Sequence, residues 1–218
     1  MEFVSIENLK FAILFTLLTP IMAACCWSQE NSPNSNPKQT GNHKPPNADE
    51  LGFVGLYNGR DLTGWTTQGN WLPQSDGSLL IQPRENEQGW GRFNSYLWTN
   101  RKYKDFELMV DCAYPENGNS GIYFRVQDRG NPVNTGIEAQ VFDSFTQKPP
   151  LNDHTLGGII PAGIAPTRNM AKPAGEWNRM LIRCVGNRVQ VRVNGVEVIN
   201  ANLQFTSIKD RNREGYIG

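Results

Sequence analysis

One short stretch, GIEAQVFDS at 136–144, combines an apolar row with side chains that can bind or react with a substrate. Glu138 and Gln140 stand two residues apart, and an extended strand places such residues on the same face. Asp143 follows where the apolar pattern ends. The alternation predicts a strand with one solvated face, on which a carboxylate and an amide lie side by side.

A second stretch, NSGIYFRVQD at 119–128, has the same two-residue period and places Tyr123 and Arg125 on its polar face. If the two stretches pair, we expect Tyr123 and Arg125 to form one cluster with the carboxylate and amide of the first. Polar side chains of this kind match sugar hydroxyls, and an aromatic ring packs against the apolar face of a pyranose. The pattern is equally typical of a solvated sheet face with an Arg125–Glu138 salt bridge of low energy.

The elements that must position this cluster are strands. From residue 51 onward the apolar residues recur with period two, and no amphipathic helix longer than two turns is evident. Hairpin signals separate several runs, namely Asp76-Gly77, Gly186-Asn187 and Asn194-Gly195. Many short strands joined by tight turns predict an all-β fold in which two antiparallel sheets form a sandwich.

Charge and composition argue against several classes of protein. The 218 residues include 21 Lys and Arg and 21 Asp and Glu, without a run of like charge that would favour nucleic acid or a membrane surface. No C-x-x-C or H-E-x-x-H motif indicates a metal site. Cys112 and Cys184 lie in strand-like runs, and we expect two buried thiols, with a disulfide in an oxidising compartment as the alternative.

The N-terminal residues predict export. The apolar run at 11–24 has the length of a signal-peptide core rather than of a membrane span. The MAAC ending resembles a lipoprotein box, so we expect residues 1–24 to be a signal peptide outside the fold and Cys25 to carry lipid, with ordinary cleavage as the alternative. Residues 25–50, rich in Asn, Pro and Ser, predict a disordered linker to a domain at 51–218. The expected location is the periplasm or a membrane to which the lipid anchors the protein.

Motifs throughout the predicted domain resemble one family. GFVGLYNGRDLTGW at 52–65 resembles the opening of the 3-keto-disaccharide hydrolase family. The match continues in chain order with YKDFEL, GNSGIYFR, TGIEAQVFD, KPAGEWNRM, VNGVEV and REGYIG. The resemblance implies a concanavalin A-like jelly-roll β-sandwich of two antiparallel sheets. It also implies a carbohydrate partner, with hydrolysis of glycosides already oxidised to a ketone at C3, or a role in sugar binding.

The resemblance implies chemical roles for the polar residues. A ketone at C3 acidifies the C2 proton, so a base can remove it, the enolate can expel the C1 substituent, and water can add to the product. Glu138 is the expected base, or a metal ligand, and Arg125 the expected stabiliser of the enolate oxygen. Asp143 is a second acid, base or ligand, and His154 the proton carrier, because imidazole titrates near neutrality. Oxygen ligands such as the two carboxylates would suit Ca²⁺ or Mn²⁺.

The remaining candidates are expected to bind substrate, namely Asn119, Tyr123, Gln140 and Lys172. Several candidates have a structural alternative. Asn119 is equally typical of a turn that enters a strand, Asp143 of a turn cap, and Lys172, within KPAGEWN, of a corner where sheets pack. Trp65 and Trp177 are expected in the core.

Two other hypotheses remain open, a non-catalytic carbohydrate-binding module on a tether and a structural or adhesion module. Members of the family usually continue past GYIG with a segment like LQDHG and a final strand, whereas this sequence ends at Gly218. The resemblance therefore implies a domain without its last strand, with an unpaired strand edge and without an Asp-His pair near the site.

Overall fold

The structure is a computed structural model that describes residues 1–6, 52–84 and 95–218. Its strands are β1 (Glu2–Ile6), β2 (Val54–Gly55), β3 (Trp65–Thr66), β4 (Trp71–Pro73), β5 (Leu79–Ile81), β6 (Trp98–Thr99), β7 (Phe106–Cys112), β8 (Asn119–Phe124), β9 (Ile137–Phe142), β10 (Ile159–Ile160), β11 (Asn178–Val185), β12 (Arg188–Val193) and β13 (Val196–Asn202). Helix in these ranges is limited to the single turn α1 (Pro132–Thr135) and short 3-10 segments such as Leu203–Phe205. The prediction of an all-β fold is confirmed. Within these ranges, no helix has the length and apolar character needed to cross a membrane.

The larger sheet has six strands in the order β13-β12-β11-β7-β1-β2. The hairpins β11–β12 and β12–β13 turn at the predicted Gly186-Asn187 and Asn194-Gly195. Asn194 and Gly195 have φ of 50° and 85°, the left-handed conformation that tight hairpin turns require. The strands from β7 to β13 in this sheet are antiparallel, but β1 runs parallel to both β7 and β2. The expected antiparallel arrangement is therefore wrong for β1.

The second layer, called the smaller sheet below, has three strands in the order β10-β9-β8, and both pairs are antiparallel. Two further pairs, β3 with β6 and β4 with β5, form separate two-stranded antiparallel sheets. The segment Gly215 to Gly218 runs along the free side of β8. Tyr123 and Gly218 exchange two backbone hydrogen bonds, with N···O distances of 2.7 and 2.9 Å. This sheet carries both stretches that contain the polar candidates, and their predicted direct pairing is confirmed.

The inner faces of the two sheets pack against each other. Leu108, Ile182 and Val191 from the larger sheet and Phe124 and Ala139 from the smaller sheet are fully buried in one cluster. These are the apolar positions of the alternating patterns, so each strand turns one row of side chains into the space between the sheets. The two-layer sandwich predicted from the sequence is confirmed.

Three side-chain predictions concern the core. Cys112 and Cys184 are buried free thiols, as expected, and burial raises the pKa of each to about 12. Trp65 is buried, and its indole N–H donates to the carbonyl oxygen of Leu56 at 2.8 Å. Trp177 is only half-buried, so its prediction as a core residue is not supported.

The predicted leader and linker lie mostly outside the described residues, which omit 7–51, so cleavage, Cys25 lipidation and the linker stay predictions. Residues 2–6 differ from expectation, because they form a strand of the larger sheet instead of lying outside the fold. Val4 is only 1% exposed there. Within the described ranges both sides of β7 are paired, one with β11 and the other with β1.

Candidate functional site

The outer face of the smaller sheet brings the predicted polar residues into register. Tyr123 on β8 lies directly opposite Glu138 on β9, and Gly121 lies opposite Gln140. On the other side of Glu138, β10 contributes Ile160, which is half-buried. Glu138 therefore stands in the middle of a row, between an aromatic ring and an aliphatic side chain.

Tyr123 holds the Glu138 carboxylate. Its side chain is buried, at 6% exposure, and its hydroxyl forms hydrogen bonds with Glu138 and Tyr96. Burial first, and then the negative charge of Glu138, raise the pKa of Tyr123 well above its ordinary value. The phenol therefore stays protonated at neutral pH, and its O–H can donate to the carboxylate.

A glycine makes room for that carboxylate. A Cβ atom built on Gly121 would overlap the Oε1 and Cδ atoms of Glu138. The carboxylate thus lies across β8, in the space that a side chain at position 121 would fill. Together with the Tyr123 hydroxyl, this space fixes where the Glu138 carboxylate lies on the sheet face.

Gln140 links the sheet to His154. The Gln140 side chain is 2% exposed, and its Oε1 accepts a hydrogen bond from the Val141 N–H at 3.1 Å. Its Nε2 therefore faces Nδ1 of His154, at 3.3 Å. An amide nitrogen only donates, so this network assigns an acceptor role to Nδ1, and the neutral imidazole carries its proton on Nε2. The exposed His154 ring then presents an N–H donor on its other side.

A second glycine brings His154 to this position. A Cβ atom on Gly158 would overlap the backbone of Asp153, so the turn at 152–155 packs directly against the residue that precedes β10. The turn is held by its own hydrogen bonds, such as the His154 N–H to Oδ1 of Asn152 at 2.9 Å. Thr155 also donates to Gln147 at 2.9 Å. The loop between β9 and β10 is therefore an ordered structure that brings the His154 imidazole to the sheet face.

Arg125 does not join Glu138, and this prediction is wrong. Its backbone is left-handed, with φ of 56°, which breaks the alternation at the end of β8. The Arg125 side chain is 2% exposed, and its guanidinium donates to the carbonyl oxygen of Gly186 at 2.7 Å and lies 3.8 Å from Asp105. Val126 takes the expected place instead, in a cluster with Trp98 and Tyr123.

The positions of Asp143 and Glu138 do not suit two ligands of one metal ion. Oδ2 of Asp143 accepts the Asn117 N–H at 2.9 Å, so Asp143 caps a neighbouring turn. Asp143 follows Glu138 by five positions, and five residues of extended chain span about 16 Å. Because the number of positions is odd, the two side chains also point to opposite faces of the strand. The described residues contain no group of three or more His, Cys, Asp and Glu side chains that could hold a metal. We therefore derive no step through Ca²⁺ or Mn²⁺.

Asn119 and Lys172 lie in different surroundings. Asn119 is exposed at the start of β8, opposite Phe142 and on the same face as Tyr123. The Lys172 N–H donates to Oδ1 of Asn178 at 2.9 Å. Asn178 is fully buried in a polar network that ties this loop to the sheet, which favours the alternative of a packing corner for Lys172.

Sequence reasoning missed two aromatic neighbours of the site. The rings of Tyr96 and Trp98 lie with their centroids 5.5 and 6.3 Å from that of Tyr123. Trp98 is 5% exposed, and Gly218 packs so closely on its ring that a Cβ there would overlap it. These rings form the wall behind the Tyr123 phenol. The motif SYLWT contains them, but its alternation does not indicate which strand it meets.

Arg211 is the third residue that the sequence did not indicate. Its guanidinium donates to the carbonyl oxygens of Gly136 and Val133, at the start of β9. Burial lowers the pKa of Arg211, and the nearby Tyr123 opposes that shift. A cation therefore lies near Tyr123, and it belongs to Arg211 rather than to Arg125, the residue that the sequence indicated.

Comparisons with known proteins agree with this fold. A curated protein of Bacteroides thetaiotaomicron named 3-keto-disaccharide hydrolase is 26% identical over 183 residues, which cover 73% of this chain and 61% of that protein. The chain thus spans about three fifths of the relative's length.

Two crystal structures from Parabacteroides distasonis, each assigned provisionally to the glycosyl hydrolases, share the fold. One is 24% identical with a TM-score of 0.51, covering 56% of this chain and 72% of its own. The other is 22% identical with a TM-score of 0.56, covering 75% and 84%. Residues 52–218 match a family profile over most of the chain. This chain belongs to the family of the 3-keto-alpha-glucoside-1,2-lyase-like domain.

Proposed function

We propose that this domain cleaves glycosides that carry a ketone at C3 of the sugar. The observation that supports this proposal is the Glu138 carboxylate, which lies half-buried over Gly121 and is hydrogen-bonded by Tyr123 on the outer face of the smaller sheet. The family concerns 3-keto-glucosides, whose distinctive chemistry begins with loss of a proton from carbon. A positioned carboxylate base is the group that this first step requires.

Glu138 removes the proton from C2, and the electron pair moves onto the C3 oxygen as an enolate. The enolate then collapses to the ketone, and the bond between C1 and the leaving oxygen breaks. The leaving oxygen takes up one proton as it departs. Water then adds across the C1–C2 double bond, with its oxygen on C1 and a proton on C2, so the net reaction is hydrolysis.

His154 is suited to orient the leaving oxygen, because a neutral imidazole can donate a hydrogen bond through its Nε2–H while the departing oxygen takes its proton from water. Its Nδ1 faces Nε2 of Gln140, which leaves the Nε2 proton on the exposed side of the ring. Tyr123 keeps its own proton and holds the carboxylate in place. The enolate role once assigned to Arg125 does not suit its position, because its guanidinium contacts backbone and Asp105 instead. Asn119, exposed on the same face, is the donor that we assign to substrate oxygens.

The test is a turnover assay with 3-keto-trehalose and, beside it, the unoxidised parent disaccharide. We expect release of 3-keto-glucose from the oxidised sugar and no cleavage of the parent, because only the ketone acidifies C2. Glu138→Gln should lower the rate by about 10²–10⁴-fold, which is the usual contribution of a positioned base. Glu197→Gln, an exposed carboxylate on β13, is the matched control and should keep the rate.

Equal cleavage of both sugars would contradict the elimination mechanism and indicate ordinary glycoside hydrolysis. Binding of the oxidised sugar without turnover, with Glu138→Gln binding almost as well, would favour the second hypothesis, a carbohydrate-binding module. Calorimetric titration of both proteins with the same two sugars separates these outcomes.

A further inference from the structure

The N-terminal strand occupies a slot in the larger sheet. β1 lies between β2 and β7 and pairs in parallel with both, with Val4 opposite Val54 and Leu108. Five residues of β1 are in register with β7, from Glu2 opposite Phe106 onward. Residues 2–6 therefore form an inner strand of the sheet.

The side chains of β1 fit this slot. Val4 is 1% exposed and packs in the main core. On the outer side, the ring of Phe3 meets Phe53 edge to face at a centroid distance of 5.9 Å. Glu2 forms a salt bridge of 2.9 Å with Arg101. The slot thus selects an extended segment with an apolar residue at the position of Val4.

Removal of this strand would expose backbone on both sides. β7 would lose its partner along one whole edge, and β2, only two residues long, would lose its place in the sheet. An inner strand edge with unpaired N–H and C=O groups readily accepts another strand. Cleavage after Ala24, which the sequence predicts for export, would remove the strand with the leader.

We infer that the slot between β2 and β7 is a strand-acceptor site whose occupant is the segment 2–6 of this same chain. The segment cannot be both part of a removed leader and an inner strand. A molecule that keeps residues 1–24 has the slot filled, and a molecule cleaved at that point has it open. This inference is independent of the proposed function.

The first test uses the full chain with Val4→Asp, which places a charge in the core face of the slot. We expect the Tm to fall by about 5 °C or more. A synthetic peptide of residues 1–6 should restore the Tm of this variant, and the same peptide with Val4→Asp should not. Phe3→Ser, at a position that is 39% exposed, is the control and should shift the Tm much less. A Val4→Asp chain with wild-type Tm, or one that the peptide does not stabilise, would overturn the inference.

A second test does not depend on stability. Phe3 is in register with Glu107, and Glu107 with Arg183 one strand further on. Neighbouring strands lie about 4.8 Å apart, within the range that a disulfide spans, whereas two strand spacings exceed it. Phe3→Cys with Glu107→Cys should cross-link under mild oxidation, as peptide mapping detects, and Phe3→Cys with Arg183→Cys should not. Absence of the first cross-link would place residues 2–6 elsewhere.

A third measurement compares the stability of the chain before and after cleavage of the predicted leader. The chain is produced in a bacterium with an export pathway. Mass spectrometry of each purified fraction then shows whether residues 1–24 are still present. A form cleaved after Ala24 should melt at lower temperature than the form that keeps residues 1–24, and the peptide of residues 1–6 should stabilise only the cleaved form. A cleaved form with the Tm of the intact chain would contradict the inference.

Discussion

The two sheets of the sandwich each carry polar side chains on their outer face, and the two faces are paired differently. On the larger sheet, Arg179 forms a bidentate pair with Asp111, at 2.8 and 2.7 Å. On the smaller sheet, the residue opposite Glu138 is Tyr123, a neutral group that donates a hydrogen bond through its O–H. The difference lies in the register of the strands, because both faces show the same alternation.

This difference determines what each face can do. A carboxylate bound by two guanidinium N–H groups has its charge balanced by the cation in a fixed geometry, so the pair stabilises the sheet. The Glu138 carboxylate instead accepts a hydrogen bond from a neutral phenol, which brings no positive charge of its own. Asp111 is expected to matter for stability and Glu138 for activity. Three substitutions examine that division, and the pH dependence of the buried thiols examines the core between the two faces.

Gly121→Ala should have the largest effect. Its Cβ overlaps the Glu138 carboxylate, which must move while the strand keeps its backbone. We expect kcat for the 3-keto substrate to fall about 10²-fold with little change in KM, because a misplaced base costs rate. Gly55→Ala is the control, since the nearest atom to a Cβ there lies 3.7 Å away. Equal kcat values for the two variants would show that the carboxylate position is not critical.

Tyr123→Phe should have a smaller effect on the same face. It removes the hydroxyl that bonds Glu138 and Tyr96, and a hydrogen bond to a charged group contributes about 1.5–3 kcal/mol. We therefore expect kcat/KM to fall at least about tenfold. Tyr103→Phe removes a buried hydroxyl that accepts from Arg101 at 2.9 Å, on a different part of the molecule, and should leave kcat/KM unchanged. A comparable loss in both variants would indicate a general packing defect.

The thiols on the buried side of the larger sheet should give alkaline sensitivity. The pKa of Cys112 and of Cys184 is raised from 9.0 to about 12 in the folded protein. Above pH 9 the unfolded chain loses these protons and the folded chain keeps them, so stability is lost as pH rises from 9 towards 12. The loss reaches about 1.4 kcal/mol per pH unit for each thiol. The Tm, followed from pH 7.5 to 10.5, should fall more steeply than in Cys112→Ala/Cys184→Ala, and parallel curves would contradict the assignment.

Asp111→Asn should have the smallest effect. It weakens the bidentate pair with Arg179, whose two side chains are 16% and 26% exposed, and should cost about 1 kcal/mol of unfolding free energy. Urea denaturation measures this loss. Turnover of the 3-keto substrate should be unchanged, and a decrease in kcat would remove the proposed division between the two faces.

Part of the site could be read from the sequence. The two-residue period placed Glu138 and Gln140 on one face, and it placed Tyr123 on the polar face of the strand that pairs with them, all of which the structure confirms. Alternation failed at Arg125, because a left-handed residue reverses the face without any signal in the side-chain pattern. Arg125 therefore exchanged places with Val126.

Other features depend on contacts between distant segments. Gly121 resembles a turn or strand glycine in the sequence, and only the register with β9 shows that it makes room for a carboxylate. Arg211 meets the start of β9 from 75 positions away, counted to Gly136. The contact of His154 with Gln140 requires the turn at 152–155 to pack on Gly158.

The sequence by itself determined the all-β class, the hairpins and the polar face, because these follow from local periodicity and turn chemistry. The tertiary structure alone decided which polar groups meet and where residues 2–6 lie. Strand order and register depend on which long loops close and on which apolar rows are buried against each other. A local sequence pattern contains no information about these contacts between distant segments. The segment 2–6 shows this most clearly, since its composition suited the start of a leader while its fit to the core made it a strand.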